Sequence, residues 1–570
     1  DLAADMLAWI DGSLSDEVDA ARFNAFASIA KKELKFDPSK LSRQDAVKRL
    51  AKREGKWAQV WARFEGSTGY AQVVDYLGFE EPAPLFDHSG NREVYPKLNA
   101  KGEKELRDAL QSLSELSFDE ARAKVHDLEE EHAWRRSTVW ARRGEAPLVN
   151  ALEHLAALAK AASLPTQDGR ALAEAYVTTG WNADCSAMSA IASAPRELDR
   201  IAVAAALQAI YLPWRDEGAF ALQELVRNGK VKFSKPEPID LDVTTVLFVD
   251  GLRMDVAQQL VETLRKDGLQ PELDWIWSGF PTVTATCKPL VTPVAEALKG
   301  PATTNDVLPM TPDDKPANKS NLFKLLNAKG WETDTALLPD QRLWTETGRF
   351  DEEGHALGAR LAERLAQSVR DVADAVSSLV RSGRDVRIVT DHGWLLMPGD
   401  FPHAALDPGL VEPSGKRTRC ALVKPKAITS YMQVPWTWNS DISIAAATGA
   451  RVFYAGCEYA HGGISPQECV LPVILVTGNN VRSEVSISKA QWEGFRLRLE
   501  VAGGADLETD LRLGSETSGP SLIKGGRVLD ENGRTSFLVS DEHEGETACL
   551  VILDANGHVV SQRVTTVGGE

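Results

Sequence analysis

Three apolar runs, each adjoining a short polar motif, set the strongest limits on how this chain can fold. Thr244-Thr245-Val246-Leu247-Phe248-Val249 is β-prone, apolar on both faces, and ends in Asp250-Gly251. A strand with no polar side suits the inside of a parallel sheet, where helices cover both faces. The pattern returns at Val386-Arg387-Ile388-Val389-Thr390, which ends in Asp391-His392-Gly393, and again at Cys469-Val470-Leu471-Pro472-Val473-Ile474-Leu475-Val476. Amphipathic stretches at 254–267 and 356–382 lie between these runs. Strands alternating with helices predict an α/β sheet whose functional groups gather at the C-terminal ends of the strands.

The flanks read differently, and at 570 residues the chain is too long for a single core. Residues 1–236 are expected to be all-α, with apolar residues at three- and four-residue intervals in segments such as 43–64 and 149–163. Trp57 and Trp61, one turn apart, are read as helix-packing residues, and His126, His132 and His154 as structural or solvent-facing. Lys235-Pro236-Glu237-Pro238 marks a stiff boundary. The central α/β domain is assigned to 237–480. Residues 481–570 carry strand-like runs at 495–501, 535–539 and 548–553 between Gly, Asp and Asn turns, which predicts an antiparallel β-sandwich.

Composition narrows the function classes. No apolar run approaches the ~20 residues of a membrane span, so no membrane partner is expected. A net charge of −18 disfavours general coating of nucleic acid but leaves room for a local basic patch. Six scattered cysteines without a C-x-x-C pair predict a reducing, cytoplasmic setting. The opening DLAADMLAWI has no initiator Met, the expectation for a fragment with sequence missing upstream.

The middle domain holds four of the ten histidines. Asp351-Glu352-Glu353-Gly354-His355 sets a carboxylate and an imidazole four apart. Asp391-His392-Gly393 follows an apolar run, His461-Gly462-Gly463 precedes another, and Asp250 ends the first. Carboxylate with imidazole is a ligand mixture suited to zinc or manganese, and glycine lets backbone pass close to an ion. Pro281-Thr282-Val283-Thr284-Ala285-Thr286 offers hydroxyls that could act as a nucleophile.

This ordered set resembles the alkaline-phosphatase superfamily over about residues 238–480. Asp250-Gly251-Leu252-Arg253-Met254-Asp255, the threonine-rich turn, Thr390-Asp391-His392-Gly393-Trp394 and His461-Gly462-Gly463-Ile464-Ser465 resemble its PglZ branch, the phosphatase-like component of BREX phage-defence systems. The resemblance implies an alkaline-phosphatase-like central domain with two divalent ions, zinc first and manganese second. One ion would take Asp250, Asp391, His392 and Thr284; the other would take Asp351, His355 and His461. Thr284 would attack phosphorus, with Thr286 as the alternative, and Lys288 would touch a phosphate oxygen. Cys287-Lys288-Pro289 does not complete a sulfatase motif, because Val291 stands where that motif has Arg. Gly348-Arg349-Phe350 departs from the family pattern in not looking like a strand, which leaves Asp351 open to a second reading as a helix N-terminal acid.

The implied function is a metal-dependent phosphohydrolase of a BREX-type system, a phosphodiesterase or nuclease, with other BREX proteins as partners. A phosphomonoesterase and a catalytically silent scaffold are the alternatives. Ser414-Gly415-Lys416-Arg417-Thr418-Arg419 is the basic segment in which Lys416, Arg417 and Arg419 are candidate contacts to DNA phosphates. Its other reading is a hairpin whose basic residues blunt a strand edge.

Overall fold

A computed structural model of the chain describes every residue except 16, 80–91, 236–242, 334–340, 407–408, 412–417, 478–484, 505–506, 516, 518, 524, 555–556, 558 and 570. Its centre is a five-stranded sheet. The strands are β1 (Thr245–Asp250), β2 (Pro271–Trp277), β3 (Leu343–Arg349), β4 (Val386–Val389) and β5 (Val470–Val476), in the order β2-β5-β4-β1-β3. β1 pairs in parallel with β3 and β4, whereas β5 runs antiparallel to both β4 and β2. The apolar run of β5 therefore marks a buried central strand, as expected, but one that runs against its neighbours.

β3 corrects the reading of Gly348-Arg349-Phe350. It pairs with β1 from Leu343 to Arg349. As the edge strand it has a half-exposed face, so Leu343-Trp344-Thr345-Glu346-Thr347-Gly348-Arg349 is mixed rather than continuously apolar. Asp351 does follow a strand.

Helices α1 (Glu197–Arg227), α2 (Met254–Lys266), α3 (Thr284–Cys287), α4 (Phe350–Leu357) and α5 (Leu361–Arg381) frame the sheet. α2 and α5 pack side by side against it, each through a stripe of Val, Leu and Ala, and the helix Trp181–Ala192 packs on both. The core does not divide at residue 236. Buried residues from Leu106 to Phe233 share one apolar cluster with the sheet, up to Val476. Helices between Leu2 and Phe79 form a separate core with Val139 and Trp140, and Trp57 and Trp61 lie inside it.

Between β4 and β5 the chain builds a small antiparallel sheet from Leu410–Val411, Cys420–Val423, Met432–Trp436 and Asn439–Ala446. From Ser486 onward, a three-stranded and a four-stranded antiparallel sheet share the core of Leu497, Leu499, Leu511, Leu550 and Ile552. Among the described residues no helix is long and apolar enough to cross a membrane.

Candidate metal centre

The reversal of β5 decides where the chemistry gathers. β1, β3 and β4 end at one edge of the sheet, and β5 begins at that edge. Asp250 closes β1, Asp351 follows β3, Asp391 and His392 follow β4, and His461 precedes β5. All therefore meet above the same edge. Gly251 makes the approach possible: its φ is +70°, and a Cβ there would come within 3.1 Å of the Asp351 backbone nitrogen. Gly354 does the same for α4, because a Cβ would sit 2.2 Å from the Tyr459 ring.

One group comprises Asp250, Asp391, His392 and Thr284. His392 places Nδ1 3.1 Å from the Gly393 carbonyl, which fixes the tautomer that donates from Nδ1 and turns the Nε2 lone pair inward. The Thr284 hydroxyl lies 3.1 Å from that Nε2, and Asp391 Oδ2 lies 3.5 Å from it. Asp391 Oδ1 accepts from the backbone nitrogens of Gly251 and His392. Asp391 Oδ2 and Asp250 Oδ1 are buried and have no hydrogen-bond partner.

The second group comprises Asp351, His355 and His461. Asp351 Oδ1 accepts from the Tyr459 hydroxyl at 3.0 Å and lies 3.3 Å from His461 Nε2 and 3.6 Å from His355 Nε2. The two Nε2 atoms are 3.1 Å apart. His461 orients its ring as His392 does, with Nδ1 3.0 Å from the Thr282 carbonyl. The rings of His392 and His461 stack at 4.0 Å, so the two groups adjoin. His355 is half exposed and opens onto a cavity of about 780 Å³ lined also by His403, Thr418, Tyr454 and Glu458.

The donor set fits cations. Ligand atoms of Asp250, Asp391 and His392 lie within 4.8 Å of one another, as do those of Asp351, His392 and His461. Buried carboxylate oxygens without a donor are costly unless a positive charge faces them. The charge balance of the protein alone shows that cost. Burial, then the charge of Asp391, pushes the Asp250 carboxyl up to about 8. Burial, then the charge of Asp351, pushes Asp391 up to about 7. Burial also acts to raise Asp351, but His461, His392 and His355 outweigh it and hold that carboxyl down at about 2.

Of the three threonines in the turn, Thr284 faces this cluster. Thr286 Oγ1 is buried between the Val307 carbonyl and the Trp436 indole, and Thr282 Oγ1 bridges Gly463 O and Gly462 N. Lys288 is placed otherwise than a free phosphate contact: its Nζ lies 2.8 Å from Glu346 and above the Phe248 ring. Arg419 needs correction as a DNA contact. It is fully buried, bonded to Glu468 at 2.9 Å and to the Gly449 carbonyl at 2.9 Å, because it opens the strand Cys420–Val423 inside the fold. Lys416 and Arg417 lie outside the described residues.

Several supporting residues escaped the sequence reading. Glu468 accepts from Arg419 and from the Gly463 backbone nitrogen at 2.7 Å, and so shapes the loop behind His461. Gln223 of α1 bonds to the carbonyls of Ala447, Gly449 and Ile464. Arg253 and Asp255 are paired twofold and fully buried, with the guanidinium 3.6 Å from the Trp394 ring, while the Trp394 indole bonds to Gly251 O. These motif residues lock β1 to the turn after β4; they are not ligands. Tyr459 had a readable signal, since alternation along Tyr459-Ala460-His461 puts it on the same side as His461.

No family model matches the sequence, and no curated protein matches it. Among solved structures that match, murine ectonucleotide pyrophosphatase/phosphodiesterase 5 aligns with 41% of this chain and 88% of its own, at 11% identity and a TM-score of 0.29.

Proposed function

We propose that the chain is a metal-dependent phosphohydrolase of the alkaline-phosphatase type, with Thr284 as nucleophile and phosphodiesters as substrates. One observation carries the reading: Asp250, Thr284, Asp391 and His392 converge beside Asp351, His355 and His461, with carboxylate oxygens that are buried and lack a donor. Bound there, divalent cations supply Lewis acidity toward a phosphoryl oxygen and toward the threonine hydroxyl. Asp250, Asp391 and His392 hold one cation; Asp351, His355 and His461 hold the other. Thr284, which lies beside His392, would attack phosphorus as its hydroxyl proton passes to solvent, and the alcohol half of the diester would leave, taking up a proton from water. Water then cleaves the phospho-threonine and restores the hydroxyl. His355, half exposed at the cavity, lies on the side from which substrate enters.

The PglZ-like motifs support a place in a BREX-type defence assembly, with other proteins of that system as partners. Zinc is the proposed metal and manganese the second choice. With Arg419 buried, the support for DNA as the diester rests on Lys416 and Arg417. The test is direct. The full chain incubated with zinc and desalted is expected to retain two ions per molecule and to hydrolyse bis(4-nitrophenyl) phosphate. A metal-free protein after that treatment would sink the proposal.

A further inference from the structure

Lys288 and Glu346 stand beside the centre with no part in the reaction so far. Lys288 follows Thr284 by one helical turn, its backbone nitrogen bonded to the Thr284 carbonyl, so its side chain leaves the same face. The ammonium does not reach toward the nucleophile. It is held 2.8 Å from Glu346 and 4.3 Å above the Phe248 ring, and both partners are largely buried, at 14% and 19% exposure. Glu346 is itself fixed, because the Trp344 indole donates to its Oε1 at 3.2 Å. Lys319 also reaches Glu346, at 3.0 Å, but its side chain is 67% exposed and its field is screened by water.

Counting charge gives this pair a meaning. Two divalent cations against the carboxylates of Asp250, Asp351 and Asp391 leave one positive charge, with the histidines neutral as ligands. Glu346 draws Lys288 away and offsets much of its charge, although the field of the ammonium still reaches Asp250 and Asp391. A phosphodiester carries one negative charge and brings the centre to neutrality. A phosphomonoester carries two and leaves an excess negative charge at a largely buried site, which is unfavourable. We propose that Glu346 sets the substrate charge this centre accepts: by holding Lys288 it fits the site to a singly charged phosphodiester and against a doubly charged phosphomonoester. This rests on the phosphohydrolase reading given above.

The test measures binding to the zinc-loaded full chain, using two non-hydrolysable probes at a pH where phenylphosphonate carries two charges and its monomethyl ester carries one. The wild type is expected to bind the ester about tenfold more tightly, the scale of one uncompensated charge at intermediate dielectric. Glu346→Gln, which frees Lys288, shifts the ratio about tenfold toward the doubly charged probe. Lys288→Gln, which leaves Glu346 with only the exposed Lys319 as a cationic partner, shifts it the other way. Both probes are measured on one preparation, so an unfolded fraction weakens both signals and leaves the ratio intact. A wild-type preference for the doubly charged probe, or two variants that fail to move in opposite directions, overturns the assignment. Turnover of bis(4-nitrophenyl) phosphate is read on the same samples. Stated binding ratios without turnover uphold the charge assignment and overturn the hydrolase reading.

Discussion

Within the Pro281–Thr286 turn, one methyl-bearing hydroxyl points at candidate ligands and two are absorbed by backbone. Thr284→Ser keeps a hydroxyl beside His392 Nε2 and is expected to retain measurable hydrolysis of an aryl phosphodiester. Thr284→Ala would remove the proposed covalent route and should lower kcat by at least ~100-fold. Thr286→Ala leaves the Trp436 indole without its acceptor, so its loss should appear as a lower melting temperature at near-normal kcat. A collapse of kcat in Thr286→Ala with Thr284→Ala unaffected would move the nucleophile two residues along. The carboxyls carry a second expectation. In the metal-free fold burial, then the neighbouring carboxylates, push Asp250 up to about 8 and Asp391 up to about 7, above their ordinary value. Over that interval the fold holds more protons than the unfolded chain, so the contribution of these groups to metal-free stability falls as pH rises from about 4 toward 8. Zinc must displace those protons, so the rise in melting temperature on adding zinc should grow from about pH 5 to about pH 8. A zinc-induced shift independent of pH would count against both aspartates as ligands.

Among the elements, those carrying the chemistry were the most legible. β1 and β5 are continuous apolar runs, and β4 is broken only by Arg387, because these strands lie inside the sheet; the ligand motifs sit at their ends. β3 was hidden by its edge position, which mixes polar and apolar residues. The direction of β5 was hidden as well, since direction leaves no trace in hydrophobicity; it follows from pairing with β4 and β2. The segment 414–419 is open in the sequence to two readings, a phosphate-binding loop or a hairpin with basic residues at a strand edge, because the strands nearby are short and the buried Arg419 looks, in sequence, like any surface arginine. That residue separates the two readings sharply. Arg419→Ala would strand Glu468 as a buried, unpaired charge and should cost about 3 to 5 kcal/mol of stability, measured by urea unfolding. If the variant unfolds like the wild type, Arg419 is not held as described.

The molecule as a whole is divided by packing rather than by residue 236. Helices from Leu106 onward share the core of the sheet, and α1 braces the His461 loop through Gln223, so the helical region is part of the site's support. A chain beginning at 237 should therefore be insoluble or unable to bind zinc. A chain ending at 477 loses a sandwich that has its own core, and should keep two zinc ions and a cooperative melt. Expression of the two truncations with elemental analysis checks both outcomes; zinc binding by the first would show that the helices are dispensable.

The antiparallel course of β5 has one more consequence, for the chain during its synthesis. A site made from strands that all run one way could draw its ligands as each strand is added. Here the last histidine is supplied on the way into the final strand of the sheet, and that strand wedges between β2 and β4, both made long before. While the ribosome is still adding residues before His461, the nascent chain carries Asp250, Asp351, His355, Asp391 and His392 but lacks the last histidine. The full ligand cluster is therefore assembled late in translation, when the sheet receives the strand that lies between β2 and β4.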